Sequence, residues 1–565
     1  MSLNVRFDHY YKYEELSGCL KQYAEDYPQL AALESIGTSH EGRQVWVITI
    51  TNPATGSHDS KPAMYVDGNI HAGEVTGSMA ALYLVDYLLT NYGTDDTVTR
   101  LLDNITFYIL PRINPDGAEL YLTTPTLLRS SVRPFPDYRK SEDPSGLHAE
   151  DVDGDGKILL MRLRDDMRGS WKPDLEDPRI MVERHPLDKS GPFYHVYTEG
   201  LLRDEKGQPA KAVKLPLVQV PTKYGLDLNR NFPSGFSPLT PGAGVFPLSE
   251  PETRNQVEFV SKRTNIAGVL LYHTTGGVLF RPHSTIHDSK FDKRDIHLYE
   301  AVGQLGYEST GYPVLCCYGD IFSGVFDDWC FDQRGLLAFT PELWNAESRA
   351  TGEEKLDFFK KQTNKEKRDR EHKLLIWNDR ELSGRGFINW REFEHPQLGT
   401  VEIGGWDTKE CRQNPPTSFL RGECHKMTLF ALSYAAALPQ AVIEEVTVTE
   451  LAPQIFHIEA LVANRGFLPT NITEQAIKQQ AVRPDRLRIE LPEGIALVNA
   501  ENQVEIGFLE GYALAQDVWG RYKSPAHQMA RVSWTVEVSD DSPGQVTVVL
   551  LSERGGTSQT VVDLG

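Results

Sequence analysis

The sequence predicts an α/β protein in which helices cover both faces of a mixed, largely parallel sheet, followed by a small all-β sandwich. Short apolar segments typical of strands, such as Gln44–Thr51 and Ala63–Asn69, alternate with longer helix-like segments, such as Glu74–Tyr92. Strands that alternate with helices favour a sheet covered on both sides. After residue 440 the apolar residues instead alternate with a period of two, as in residues 532–538, which is typical of half-buried strands.

This change of pattern divides the chain into two predicted domains. Residues 1–440 would form the α/β domain and residues 441–565 the sandwich, because period-two segments separated by Pro, Gly and Asn are typical of sandwiches. Residues 118–221 interrupt the first domain, since they are rich in Pro, Asp, Gly and Arg and show little periodicity. We interpret them as an insert, because long irregular stretches inside a domain are usually functional or form a subdomain.

The composition limits the classes of partner. The 565 residues include 58 Lys and Arg against 79 Asp and Glu, which gives a net charge of −21. Such an acidic balance argues against binding of nucleic acid or of an anionic membrane surface, and no apolar run is long enough to span a membrane. Six cysteines are too few for a disulfide scaffold, so free thiols are expected, with a Cys411–Cys424 bridge as the alternative.

The compartment stays open. The opening residues are polar and lack the apolar core of a signal peptide, which favours the cytoplasm. A leader removed from the natural protein would instead make it secreted or periplasmic. Natural substrate and oligomeric state are equally unspecified by the residues.

Four polar side chains follow predicted strands in the first domain. His71 comes directly after Ala63–Asn69, with Glu74 three residues later, and Asn114 comes after Ile105–Pro111. His273 ends an apolar strand, and Glu342 follows another. In open α/β sheets ligands bind at the carboxyl edge, so these side chains are expected to meet there. Two histidines and a glutamate are a recurring ligand set of catalytic zinc.

Several short motifs together resemble the zinc carboxypeptidases of the carboxypeptidase A type. Their order along the chain is that of the family, and the resemblance covers about residues 8–440 apart from most of the insert. The matching motifs are H-x-x-E at His71 and Glu74, N-P-D-G at Asn114–Gly117, D-L-N-R-N-F-P at Asp227–Pro233, S-E-P-E-T at Ser249–Thr253, the second histidine at His273, and F-T-x-E-L at Phe339–Leu343.

The resemblance implies a function for each matched residue. It makes the chain a zinc metallocarboxypeptidase that hydrolyses the C-terminal peptide bond of peptides with a free carboxylate. The zinc ligands would be His71, Glu74 and His273, with a fourth position left for water. Glu342 would be the general base. Asn229 and Arg230 would hold the terminal carboxylate, which a guanidinium binds bidentately.

Two further roles rest on less direct matches. Arg129 lies at the spacing expected for the arginine that stabilises the oxyanion, with Arg133 and Arg162 as alternatives. The family's capping tyrosine aligns with Asp320, so Tyr318, two residues away, is the predicted substitute.

Two more departures concern the substrate. The position that is Arg in pancreatic members is Gly73, which puts a secondary substrate contact in doubt. Asp327 precedes the Asp-Trp pair, where the branch specific for basic residues carries an aspartate that pairs with Lys or Arg. A preference for basic C-terminal residues follows as a hypothesis.

The insert contains half of a calcium loop. Asp151, Asp153 and Asp155 occupy positions 1, 3 and 5 of such a loop and Gly154 and Gly156 flank the last of them, but position 12 is Arg162 instead of the usual Glu. A weaker calcium site, completed by Asp165 or Asp166, is therefore an additional expectation.

Two alternatives remain beside the peptidase. The same chemistry would serve a zinc amidase that acts on cell-wall peptides or another amide. A catalytically silent binding protein on the same fold is the alternative from a different class.

Overall fold

The computed structural model describes residues 5–134, 145–210, 215–319, 322–352, 362–498, 501–514, 528–539 and 544–564. The first part of the chain alternates helices and strands. In chain order these elements are α1 (Tyr13–Asp26), β1 (Ala31–Thr38), β2 (Gln44–Ile50), β3 (Ala63–Gly68), α2 (Val75–Asn91), α3 (Asp96–Asn104), β4 (Thr106–Leu110) and α4 (Pro115–Thr123).

Six short strands follow within the predicted insert, which begins inside α4. They are β5 (Gly146–Ala149), β6 (Leu160–Arg164), β7 (Trp171–Pro173), β8 (Met181–Glu183), β9 (Tyr194–Thr198) and β10 (Gly200–Arg203). The α/β pattern then resumes with α5 (Pro251–Lys262), β11 (Ile266–Thr274), β12 (Val278–Arg281), α6 (Lys293–Thr310), β13 (Val314–Cys316), α7 (Phe326–Arg334), β14 (Leu337–Leu343), α8 (Ala346–Thr351), α9 (Asn364–Glu381), β15 (Phe387–His395), β16 (Gly399–Trp406) and α10 (Thr417–Ala436).

The central sheet has eight strands in the order β1-β2-β4-β3-β11-β14-β12-β13. Its middle strands β4, β3, β11 and β14 are parallel neighbours, whereas β1, β2 and β12 pair antiparallel. One face packs against helices that include α2 and α10, and the other packs against α5 and α7. The predicted mixed, largely parallel sheet covered on both faces is confirmed.

The insert does not form a separate unit. Its strands β6, β7, β8 and β9 join β15 and β16 in one antiparallel sheet of order β15-β16-β6-β9-β7-β8. A small apolar cluster that includes Leu159, Met161 and Ile403 fills the contact between them. The insert is thus fixed to a segment more than 200 residues later in the chain.

The described part of the C-terminal region consists mainly of β-strands, with one short α-helix among them. Its elements are β17 (Ala441–Ala452), β18 (Ile455–Asn464), α11 (Glu474–Lys478), β19 (Asp485–Glu490), β20 (Ile495–Leu497), β21 (Gln503–Gly507), β22 (Met529–Val538), β23 (Gln545–Ser552) and β24 (Gly556–Asp563). Two antiparallel sheets, β17-β18-β22-β20 and β21-β19-β23-β24, enclose an apolar core around Trp534. The expected C-terminal all-β region is confirmed.

Two further expectations concern the described residues. All six cysteines are free thiols, so the alternative Cys411–Cys424 bridge is wrong. Among the described helices, none combines the length and the apolar character that a membrane span requires.

Candidate metal centre and active site

The candidate site lies at the carboxyl edge of three neighbouring strands of the central sheet. His71 and Glu74 lie in the turn from β3 into α2, His273 is near the end of β11, and Glu342 is near the end of β14. The strand register pairs His273 with Glu342. The parallel strands therefore bring together residues that are about 270 positions apart in the sequence.

The turn that holds the first two residues is fixed by its own side chains. Asn69 adopts a left-handed conformation with φ of 62°, and its amide nitrogen donates a hydrogen bond to the carbonyl of His71 at 2.7 Å. Gly68 and Gly77 pack so closely that a Cβ on Gly68 would lie 2.6 Å from the carbonyl oxygen of Gly77. The start of α2 can thus lie directly on the end of β3.

His71, Glu74 and His273 form one buried cluster. Their exposed fractions are 2%, 1% and 3%. Nδ1 of His71 lies 2.8 Å from one carboxylate oxygen of Glu74, and Nδ1 of His273 lies 2.9 Å from the other. The two Nδ1 atoms are 3.1 Å apart, and one ligand atom from each of the three residues lies within 4.8 Å of the others.

This donor set fits a zinc ion. Two imidazole nitrogens and one carboxylate are a recurring zinc ligand set, and a cation between them would satisfy all three groups at once. Burial would raise the pKa of Glu74, but the neighbouring imidazoles of His71 and His273 hold that pKa below its usual range. The carboxylate is therefore charged in the buried cluster, as a metal ligand must be.

Asp227 is a functional residue to which the sequence reasoning assigned no role. Its carboxylate lies 3.1 Å from Nε2 of His71, the ring nitrogen that faces away from Glu74. Burial would raise the pKa of Asp227, but His71, Arg230 and Arg129 hold it well below its ordinary value. A carboxylate on the second ring nitrogen orients a metal-ligating histidine. The available signal was the position of Asp227 at the start of the D-L-N-R-N-F-P motif.

The three candidate arginines lie in different surroundings. Arg129 reaches into the cavity, with Nη1 2.8 Å from Glu74 and Nε 3.5 Å from Asp227. Arg133 is buried in ion pairs with Glu250 and Glu252. The third candidate, Arg162, pairs with Glu402 in the sheet formed by the insert. Of the three, Arg129 is the one that the structure brings to the cluster of His71, Glu74 and His273.

Glu342 lines the same cavity. Burial and the nearby charge of Glu74 raise the pKa of Glu342 to about 8, although His273, Arg129 and Arg230 act in the opposite direction. A carboxyl group with a pKa near the working pH is suited to take up and release a proton.

Asn229 and Arg230 lie on one buried turn. Asn229 accepts a hydrogen bond from the backbone N–H of Phe326 at 3.0 Å, and Arg230 donates to the carbonyl of Asn229 at 2.6 Å. The guanidinium lies 4.9 Å from the ring centre of Phe322, which also lines the cavity.

Asp327 lies at the start of α7 with only 5% of its surface exposed. It accepts hydrogen bonds from the backbone N–H of Asp328 at 3.1 Å and from the hydroxyl of Thr340 at 3.3 Å. Burial raises the pKa of Asp327 despite these bonds. Both hydrogen-bond donors to Asp327 are neutral groups.

The structure does not bring Tyr318 to the cavity. Its side chain is 49% exposed and its ring packs edge-on against His287 at 5.0 Å. Asp320, which aligns with the family's capping tyrosine, lies outside the described residues. Phe322 is the aromatic residue of this segment that lines the cavity.

The calcium expectation finds no support. The Arg391 guanidinium forms ion pairs with Asp153 and Asp155, at 2.7 Å for the latter, and so offsets one of the negative charges of the loop. Asp151 accepts hydrogen bonds from the backbone N–H groups of Gly154 and Gly156. Position 12 of the loop, Arg162, lies on β6. The sequence prediction missed Arg391 because it lies more than 230 residues away.

The cavity beside the candidate metal ligands has a volume of about 640 Å³. Besides Phe280 and Phe322, the lining residues that the motifs did not indicate are Thr408, Arg412 and Gln413. All three belong to one short segment between β16 and α10.

The chain belongs to the zinc carboxypeptidase family of peptidases, whose members use zinc. The family profile matches residues 16–154 and 191–372, more than half of the chain. The resemblance inferred from the motifs is thereby confirmed. A second profile, that of a domain family of unknown function, matches residues 440–563.

Several known proteins are similar to parts of the chain. Carboxypeptidase B of Astacus astacus is 36% identical over 122 residues, which are 22% of this chain and 38% of that protein. Carboxypeptidase D of Homo sapiens is 34% identical over 111 residues, 20% of this chain and 8% of that protein. The matched region thus spans well under half of each relative. A crystal structure of thrombin activatable fibrinolysis inhibitor aligns over 76% of this chain and 74% of its own, with 16% identity and a TM-score of 0.44.

Proposed function

We propose that the protein is a zinc-dependent carboxypeptidase that removes the C-terminal residue from peptides. The buried cluster of His71, Glu74 and His273 beside Glu342 is the observation that carries the proposal. The nearby guanidinium of Arg230 supplies a site for the terminal carboxylate. Neither a cell-wall amidase nor a silent binding protein is favoured by an observation of this kind.

Each side chain of the site has its own role in the reaction. Zinc held by the three ligands would polarise the scissile carbonyl and acidify a water molecule. The carboxylate of Glu342 removes a proton from the attacking water and delivers it to the leaving amine. Arg129 donates to the carbonyl oxygen as negative charge develops there. Arg230 and Asn229 bind the free carboxylate, which places the last peptide bond at the reacting groups.

Metal removal tests the proposal directly. A library of peptides with free C-termini is incubated with the protein, and the products are analysed by mass spectrometry. Loss of single C-terminal residues is expected. A chelator is expected to abolish this cleavage until zinc is restored, because the side chains of the site cannot replace the metal as a Lewis acid. Endoproteolytic products, or cleavage that resists complete removal of the metal, would contradict the proposal.

The side-chain preference is the finer part of the proposal. A buried carboxylate at Asp327 that has only neutral hydrogen-bond donors suits a lysine or arginine side chain of the substrate. Wild type is expected to cleave C-terminal Arg faster than Leu, and Asp327→Asn is expected to lower the ratio of the two kcat/KM values by about 10²-fold. The exposed Asp96→Asn serves as the matched control and should leave the ratio unchanged. Equal cleavage of both peptides by wild type would overturn the preference.

A further inference from the structure

A segment outside the family match forms one wall of the active-site cavity. Residues 407–414 lie beyond residue 372, where the match ends, yet they pack on the turn that carries the metal ligands. The fully buried Asn414 donates to the carbonyl of Gly73 at 2.8 Å and accepts from the backbone N–H and the hydroxyl of Thr76 at 3.2 and 2.8 Å. The segment is thus joined to the His71–Glu74 turn on both sides of Glu74.

Contacts with other parts of the chain hold the same segment in place. The indole N–H of the buried Trp344 donates to the carbonyl of Cys411 at 2.8 Å. The ammonium group of Lys409 donates to the carbonyls of Tyr121 and Thr124 at 2.5 and 2.6 Å. Because the segment is bonded both to the His71–Glu74 turn and to these other residues, its side chains keep a defined position in the cavity.

Two polar side chains of this wall, Arg412 and Gln413, differ in whether they have a hydrogen-bond donor without a partner. Arg412 is committed, because its guanidinium pairs with Glu347 at 3.0 Å and Glu371 at 3.1 Å. Gln413 accepts a hydrogen bond from the hydroxyl of Tyr121 at 3.0 Å through Oε1. That bond assigns the other end, Nε2, as a donor, and Nε2 has no acceptor among the described residues.

The position of Gln413 explains the glycine at position 73. A Cβ at Gly73 would lie 2.6 Å from Nε2 and 2.9 Å from Oε1 of Gln413, and 2.9 Å from the carbonyl of Leu128. The amide of Gln413 therefore occupies the space that a side chain at position 73 would need. The free donor lies next to the ligand Glu74, in the same cavity.

We propose that Gln413 positions the substrate by donating a hydrogen bond from Nε2 to a peptide carbonyl upstream of the scissile bond. This inference rests on the proposed function. With the terminal carboxylate on Arg230 and the scissile carbonyl beside Arg129, the chain continues past Glu74, and the next carbonyl oxygen reaches the wall that carries Gln413. The acceptor is the carbonyl of the residue or acyl group that is bonded to the nitrogen of the residue carrying the scissile carbonyl. The substrate class is thus an acylated dipeptide or a longer peptide.

The test compares two substrates that differ in this carbonyl. One is N-benzoyl-Gly-Arg, and the other is 4-phenylbutanoyl-Arg, an uncharged analogue in which two methylene groups replace the benzoyl carbonyl and its amide nitrogen. Gln413→Met keeps the length of the side chain and removes the donor. It is expected to lower kcat/KM about tenfold on the benzoyl substrate, mainly through KM, and less than twofold on the analogue, because the analogue has no acceptor.

Several controls separate this role from a structural one. Tyr121→Phe removes the hydroxyl that orients Gln413 and should show the same dependence on the substrate carbonyl at a smaller size. The exposed Gln304→Met should match wild type on both substrates. Equal losses on both substrates in Gln413→Met, or no loss on either, would overturn the positioning role while wild-type cleavage leaves the proposed function in place. If wild type with zinc cleaves neither substrate nor library peptides, both proposals fail.

Discussion

Replacement of Glu342 by Gln is expected to lower kcat by about 10²–10⁴-fold, the usual contribution of a general base. The amide keeps the shape of the side chain and cannot accept the proton of the attacking water. The metal ligands His71, Glu74 and His273 are untouched, so zinc content should equal that of wild type. The measurement is kcat on a C-terminal Arg peptide, with zinc determined by atomic absorption on the same sample.

The stability of this variant distinguishes a catalytic loss from misfolding. Burial and the charge of Glu74 raise the pKa of Glu342, which means that the folded protein disfavours a second negative charge there. A neutral amide removes that repulsion, so the melting temperature of Glu342→Gln should not fall below that of wild type. The exposed Glu300→Gln is the matched control and should retain full activity. Retained hydrolysis in Glu342→Gln would remove Glu342 from the mechanism.

The parts of the site that follow strands were predictable from the sequence. Parallel strands expose their carboxyl ends at one edge, so polar residues directly after Ala63–Gly68 and within the ends of the later strands had to converge. The register between β11 and β14 then places His273 opposite Glu342. The fold class followed from the same alternation of strands and helices.

The contacts between distant segments were not predictable in this way. Gln413 lies 340 positions from Gly73, and nothing in the residues around it differs from an ordinary polar loop. Arg391 pairs with a loop more than 230 residues earlier, and β15 and β16 complete the sheet of the insert. Such pairings depend on how whole units pack, and hydrophobic periodicity records only which face of each element is buried.

Tyr318 shows a related limit. Its assignment transferred a family role to the nearest residue of the right type, since the aligned position is an aspartate. Two residues along a loop change the direction of a side chain, and here the ring packs on His287 instead of lining the cavity. Residue type near a motif is therefore a weaker guide than a position within it, as the placement of Asp227 inside its motif illustrates.

Arg554 is a buried residue that attaches the C-terminal sheets to the preceding part of the chain. It lies in the turn between β23 and β24 with 1% of its surface exposed. Its guanidinium donates to the carbonyl of Gly335 at 3.2 Å and to that of Arg334, at the end of α7. It also donates to the carbonyl of Asn471 at 2.9 Å, in the loop before α11. One side chain thus joins the catalytic region to two parts of the C-terminal region.

Arg554→Met is expected to lower the free energy of unfolding by about 3 kcal/mol, because methionine fills similar space but leaves several buried carbonyl oxygens without a donor. Burial lowers the pKa of Arg554 to about 9, which shows that burying the charge is unfavourable. Removal of the charge therefore offsets part of the stability that is lost with the hydrogen bonds. Calorimetry should show a lower melting temperature and a separate transition for the C-terminal region. Arg531→Met removes an arginine whose side chain is 62% exposed and paired with Glu459, and should change stability by less than about 0.5 kcal/mol. A melting profile of Arg554→Met that coincides with that of Arg531→Met would show that apolar packing, and not this guanidinium, holds the two regions together.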